Sequence, residues 1–157
     1  MPEEKLVMLL QKNNFTITTA ESCTGGLVAG CILNVAGASS SFNEGYITYS
    51  NEAKERILGV NHDTLKTYGA VSPQTAREMA KGAAKAAKAD LALSVTGIAG
   101  PGGGTDEKPV GLVYIGCYMK GELYVKECHF HGNREENRKE SVRTALLLAI
   151  EIIEKRV

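Results

Sequence analysis

The chain has 157 residues, enough to bury one core without disulfides or metal. Lys plus Arg (18) equals Asp plus Glu (18), so there is no broad cationic face for a nucleic-acid backbone. Aromatics are only 6% and tryptophan is absent, which leaves little to stack bases. No run reaches the roughly 18 apolar residues of a membrane span. The opening Met-Pro-Glu-Glu-Lys lacks the basic-then-apolar order of a secretory signal. A single cytoplasmic domain over 1–157, free of membrane and nucleic acid, is expected. Cys23, Cys31, Cys117 and Cys128 form no Cys-x-x-Cys pair and read as free, mostly buried thiols.

Leu6, Leu9 and Leu10 recur at helical spacing between Glu3 and Lys12. Phe15, Ile17 and Thr19 then alternate as in a strand. Gly25 and Gly26 introduce a short buried helix over Leu27 to Leu33. Phe42 to Tyr49 reads as a second strand. Asn51 is the expected cap of a helix from Glu52 to Leu58, stopped by Gly59. Ser72-Pro73 starts a helix reaching Lys88, with Ala76, Met79, Ala80, Ala83, Ala84 and Ala87 in one stripe of mostly small residues. Leu91 to Thr96 is an apolar strand. A glycine-rich loop from Gly97 to Pro109 separates it from strands at Val110 to Tyr118 and Leu123 to Phe130, turned at Lys120-Gly121. A final helix from about Glu135 turns Val142, Leu146, Ala149 and Ile153 inward. Strands separated by helices favour parallel pairing, and the Gly121 turn favours one antiparallel hairpin. An α/β fold follows, with a mixed sheet covered on both faces.

Three stretches hold candidate chemistry. Thr19 to Gly26 (TAESCTGG) puts Ser22 where a strand gives way to a helix, and unpaired backbone N–H groups there suit an oxyanion or phosphate. Ser22 or Thr24 would serve equally as a helix cap. Tyr46 to Lys54 (YITYSNEAK) ends a strand at Tyr49 and puts Lys54 in the first turn of the next helix. The helix dipole disfavours a cation there, and burial would lower its pKa toward that of a base; a solvated lysine is the plainer reading. Ser94 to Gly104 (SVTGIAGPGGG) lets backbone approach a ligand closely, yet matches neither the phosphate-loop nor the dinucleotide fingerprint. His62, His129 and His131 lack the paired spacing of a zinc site, so no metal and no cofactor are expected. Cys23 is a rival nucleophile beside Ser22, or a small buried residue behind the turn.

Together with Leu58 to Val60 (LGV), Gly69 to Ser72 (GAVS) and Lys108 to Gly111 (KPVG), these stretches resemble the CinA C-terminal domain family in order and spacing. The resemblance implies a three-layer α/β/α sandwich with a mixed, mainly parallel sheet and a homo-oligomer. It also implies metal-free hydrolysis of nicotinamide mononucleotide to nicotinate mononucleotide and ammonia. Ser22, Tyr49 and Lys54 then become the catalytic set: neutral Lys54, directly or through the Tyr49 hydroxyl, activates Ser22. Backbone N–H groups near Thr24, Gly25 and Gly26 would hold the oxyanion. Thr96 and the loop residues Gly97, Ala99, Gly100 and Gly102 are the first choice for phosphate and ribose, with Arg134 and Arg138 second. Some relatives carry a molybdopterin-binding-like domain ahead of this one, so the chain resembles the stand-alone form. The family's usual Gly-Asp-Arg followed by Val-Arg stands here as Gly132-Asn133-Arg134 and Asn137-Arg138. The competing expectation is a non-catalytic nucleotide-binding or interaction module of the same family.

Overall fold

The structure, a computed structural model, describes residues 1–156. Helix α1 (Pro2–Asn13) begins on proline with Glu3 and Glu4 in its first turn, both favourable there, and stops where Asn14 turns left-handed. Strand β1 (Ile17–Glu21) is buried at every position. The expected alternation of exposed and buried residues fails because β1 lies mid-sheet with helices on both faces. Helix α2 (Leu27–Leu33) follows, but it is only half sunk: Val28 and Ile32 are buried, while Leu27 and Leu33 face outward. The second strand is shorter than expected. Only β2 (Tyr46–Ile47) forms, with an isolated bridge from Phe42 to Ile17. Between the two, the Glu44 carbonyl accepts from the Thr18 hydroxyl instead of from a strand amide.

Helix α3 (Asn51–Leu58) is capped one residue earlier than the sequence reading placed it. The Ser50 hydroxyl accepts from the Ala53 amide, and Asn51 is already helical. Gly59 ends it in the left-handed region, as expected. A helix absent from the sequence reading, α4 (His62–Tyr68), comes next, capped by Asn61. It buries only Leu65, so it has no apolar stripe to betray it. Helix α5 (Pro73–Ala87) starts under the Ser72 cap and buries Ala76, Met79, Ala80, Ala83 and Ala84. Strands β3 (Leu91–Gly97), β4 (Leu112–Met119) and β5 (Glu122–His129) precede the long helix α6 (Arg134–Arg156). Lys120 and Gly121 both have positive φ, the geometry of a two-residue hairpin turn between β4 and β5.

The sheet order is β2-β1-β3-β4-β5. β1 is parallel to both β2 and β3, and β4 is antiparallel to both β3 and β5. The second antiparallel pairing arises because the glycine loop joins β3 to β4 without a crossover helix, so the chain simply turns back. One face packs on α1, α2 and α6 through Leu6, Leu10, Ile32, Leu93, Ile115 and Leu146. The other packs on α3, α4 and α5 through Ala20, Leu58, Met79 and Ala83. This is a three-layer α/β/α sandwich. Among the described residues, no helix is long and apolar enough to cross a membrane.

The fold's directions gather the loops of interest. β1, β2 and β3 all end at one edge of the sheet, the place where open α/β sheets bind ligands. β5 ends there too, because His129 lies opposite Leu112, so the start of α6 joins the same edge. The layer carrying α3 is set by Gly82 in α5: a Cβ there would fall on the carbonyl of Leu58, the last residue of α3. Gly82→Ala should therefore cost about 1–3 kcal/mol in urea unfolding by forcing the two helices apart. An unchanged urea midpoint would mean that the two helices do not depend on this contact.

Candidate active site: a buried lysine against a serine

Ser22 is the first residue past β1, and its amide still donates to the Val95 carbonyl of β3. That bond fixes the backbone at the strand end and leaves the side chain half-buried at the sheet edge. The turn then closes through Gly25 N–H to the Ser22 carbonyl, with Gly25 and Gly26 at φ 56° and 100°. Side chains rarely adopt such angles, so these two glycines are required by the backbone.

The turn is held from two sides. The Glu21 carboxylate is buried and accepts from the Thr24 hydroxyl at 2.6 Å and from the Val28 and Ala29 amides at 2.8 and 3.0 Å. It thus occupies the N-terminal N–H groups of α2 itself. On the other side, Arg138 of α6 donates to the carbonyls of Cys23 and Thr24 at 3.0 and 3.3 Å. Of the three amides expected to meet an oxyanion, Gly25's is spent on Ser22. Those of Thr24 and Gly26 have no acceptor among the described residues.

Lys54 crosses from α3 to Ser22. It is 1% exposed, and its Nζ lies 3.0 Å from Ser22 Oγ, 2.8 Å from the Thr48 carbonyl and 3.4 Å from the Tyr49 carbonyl. The reading of Lys54 as a solvated surface residue is excluded. Burial pushes its pKa down from 10.5 to about 8, since desolvation penalises the ammonium and no carboxylate among the described residues pairs with it. In the neutral form two N–H groups can serve the carbonyls while the lone pair takes the serine proton. Cys23 is the opposite case. Burial raises its thiol to about 11, so it is a poor nucleophile and fills space behind the turn.

The Tyr49 side chain does not stand between the two: the residue is 64% exposed and its hydroxyl accepts from Arg134 Nη2 at 3.4 Å, while the lysine reaches the serine directly. Arg134 also donates to the Gly100 carbonyl at 3.0 Å, bridging the mouth between the β2–α3 loop and the glycine loop. Thr96 is buried, and its hydroxyl donates to the Ala70 carbonyl, which pins the segment before α5. Gly97 stays within the β3–β4 ladder. The amides of Ala99, Gly100 and Gly102 are without acceptors among the described residues, and Gly102 stands in the exposed part of the loop.

Asn137 is the contributor that sequence reasoning undervalued. It is 1% exposed, donates to the Ala99 carbonyl and accepts from the Gly132 amide. Asn133 and Glu136 exchange side-chain and backbone bonds in a capping box that starts α6. The Asn133-x-x-Glu136 spacing was a readable signal for that cap. Nothing in the sequence pointed to the reach of Asn137 across to the loop. No ion pair among the described residues involves Lys54, Arg134 or Arg138. Arg134 and Arg138 thus bring two guanidiniums to this edge without an ion pair, beside the buried Glu21 carboxylate. Among the described residues, no cluster of His, Cys, Asp and Glu is arranged to hold a metal ion.

A strand-end serine in contact with a buried lysine, with unpaired amides beside it, has the composition of a hydroxyl-nucleophile site. The chain belongs to the CinA C-terminal domain family, which matches residues 1–153. It is similar to a CinA-like protein from Kosmotoga olearia, 58% identical over 144 residues, covering 92% of this chain and 35% of the relative. The chain thus spans about a third of the length of the curated relatives it matches. Its structure resembles the competence/damage inducible protein CihA from Agrobacterium tumefaciens, with TM-score 0.91 and 44% identity over 96% of this chain and 95% of that one. It also resembles a competence-damaged protein (CinA) superfamily protein from Klebsiella pneumoniae, with TM-score 0.95 and 32% identity over 98% and 96%.

NMR of ¹³Cε-labelled lysine should show one resonance titrating near pH 8 that vanishes in Lys54→Met. The folded pKa lies below the unfolded one, so the unfolded chain binds the extra proton between about 8 and 10.5, and this group's contribution to stability rises with pH across that window. The absence of any lysine titrating below pH 9 would contradict the buried, unpaired placement.

Proposed function

We propose that this chain is an amidohydrolase that converts nicotinamide mononucleotide and water to nicotinate mononucleotide and ammonia. The observation that carries the reading is the direct contact of buried Lys54 with Ser22 at 3.0 Å. A lysine without an acidic partner is expensive to bury, and the one side chain it reaches is the Ser22 hydroxyl, with which a neutral amine can exchange a proton. The resemblance supplies the substrate. The Arg134 guanidinium at the mouth fits a substrate that carries a phosphate.

Neutral Lys54 takes the Ser22 proton as Oγ attacks the carboxamide carbon of the nicotinamide ring. The carbonyl oxygen becomes an oxyanion, held by the amides of Thr24 and Gly26; one such donor is worth about 3 kcal/mol of barrier. Lys54 returns the proton to the departing nitrogen, and ammonia leaves an acyl-enzyme ester. Water then attacks that ester, gives its proton to Lys54, and the acid is released as Ser22 Oγ is reprotonated. Every step uses one base that starts and finishes neutral.

The remaining residues hold the substrate. Arg134 stands at the mouth with free N–H groups for phosphate, beside the unpaired amides of Ala99, Gly100 and Gly102. Tyr49 presents its ring at the same mouth and keeps Arg134 in place through its hydroxyl. Thr96 shapes the wall through its tie to Ala70. A homo-oligomer located in the cytoplasm belongs to the same proposal.

Ammonia release from nicotinamide mononucleotide, with EDTA present, should be abolished in Ser22→Ala and lowered roughly a hundredfold or more in Lys54→Met. Wild-type kcat/KM should rise with pH through a midpoint near 8, since only neutral Lys54 accepts the proton. A profile flat from pH 6 to 9 would remove Lys54 as the base. Arg134→Ala should raise KM far more than it lowers kcat. A folded wild-type protein that releases no ammonia would favour a nucleotide-binding module over an enzyme.

A further inference from the structure

The Arg138 guanidinium faces protein carbonyls, and this assigns it a task other than holding phosphate. We infer that Arg138 is a positioning residue that, with Glu21, aims the Thr24 N–H at the oxyanion formed on Ser22. The inference rests on the reading of Ser22 as a nucleophile.

Arg138 Nε donates to the Cys23 carbonyl and Nη2 to the Thr24 carbonyl, at 3.0 and 3.3 Å. A trans peptide is planar, with its N–H pointing opposite to its C=O. Pulling the Cys23 carbonyl toward α6 therefore drives the Thr24 N–H away from α6. Pulling the Thr24 carbonyl the same way turns the Gly25 N–H back, where it meets the Ser22 carbonyl at 3.1 Å. The Thr24 side chain cannot disturb this arrangement, because its hydroxyl is held by Glu21 Oε1 at 2.6 Å. Glu21 in turn is anchored by the Val28 and Ala29 amides. Both peptide planes of the turn are thus fixed by one guanidinium and one carboxylate.

The geometry of the fork explains why an arginine is needed. Two carbonyls from successive residues present two acceptors side by side, which a planar guanidinium meets with two N–H groups; an ammonium is a point donor. Gly25 belongs to the same device, since a Cβ there would come within 3.3 Å of Arg138 Nη2. Ser22's own amide is committed to Val95, so the Thr24 amide gains importance as an oxyanion donor. Arg134, in contrast, stands exposed at the mouth and is free to meet phosphate.

The test uses a fluorophosphonate on the intact chain. Ser22 Oγ bonds to phosphorus, fluoride departs, and the serine proton passes to Lys54; the adduct's P–O oxygen occupies the oxyanion position. Wild type should be labelled at Ser22. Arg138→Ala and Arg138→Lys should both be labelled about tenfold or more slowly, with the pH midpoint of labelling unchanged. Added guanidinium ion should recover part of the rate in Arg138→Ala. Both variants should lose kcat equally on nicotinamide mononucleotide and on its dephosphorylated nucleoside. Circular dichroism melting confirms that each variant is folded. Labelling of both folded variants at the wild-type rate, or a lost preference for the phosphorylated substrate, would overturn the positioning role alone. Full rescue by Arg138→Lys would show that charge, and not aim, is what matters. A wild type that resists labelling would overturn the nucleophile reading, and this inference with it.

Discussion

Parallel pairing of β1 with both β2 and β3 is the constraint on which the site depends. It places three strand ends at one edge, so Ser22, the Thr48–Ser50 segment and the Thr96–Gly100 segment become neighbours although far apart in sequence. The antiparallel turn of β4 and β5 then returns the chain to that edge and starts α6 there. Ser22, Lys54 and Arg134 each come from the end of a rigid element, which limits their freedom more than a mid-loop position would.

Lys54 shows what this framework makes possible. Taking an ammonium out of water costs several kcal/mol, and a lone lysine on a small domain would normally turn outward. Here the Ser50 cap and the Gly59 stop fix the phase of α3, while Gly82 lets α5 approach its C-terminal end. The side chain has two backbone carbonyls and one serine hydroxyl within reach. The cost is met largely by lowering the pKa, and that is the change a general base needs.

The two asparagines that depart from the usual family pattern prove to be structural parts of the same edge. Asn133 starts α6 through a reciprocal cap with Glu136, and Asn137 ties that helix to Ala99 of the glycine loop. Arg134 is oriented by Gly100 and Tyr49, without help from the side chain at position 133. The polar substitutions thus leave both arginines held and add a bond between helix and loop.

The sequence alone determined the α/β class, most of the elements, the glycine stops and the three stretches that make the site, because periodicity, caps and positive-φ glycines are local properties. It missed α4, whose single buried residue leaves no pattern, and it overextended β2, where a hydroxyl on the neighbouring strand competes for a backbone carbonyl. It named Ser22, Lys54 and the two arginines but could not separate a base from a solvated lysine, or a phosphate grip from a brace. Burial of Lys54, the partners of Arg138 and the exposure of Tyr49 are visible only in the tertiary structure, since they depend on which elements pack across the sheet edge. Strand order, two parallel pairings followed by two antiparallel ones, rests on contacts between distant segments that no local pattern encodes.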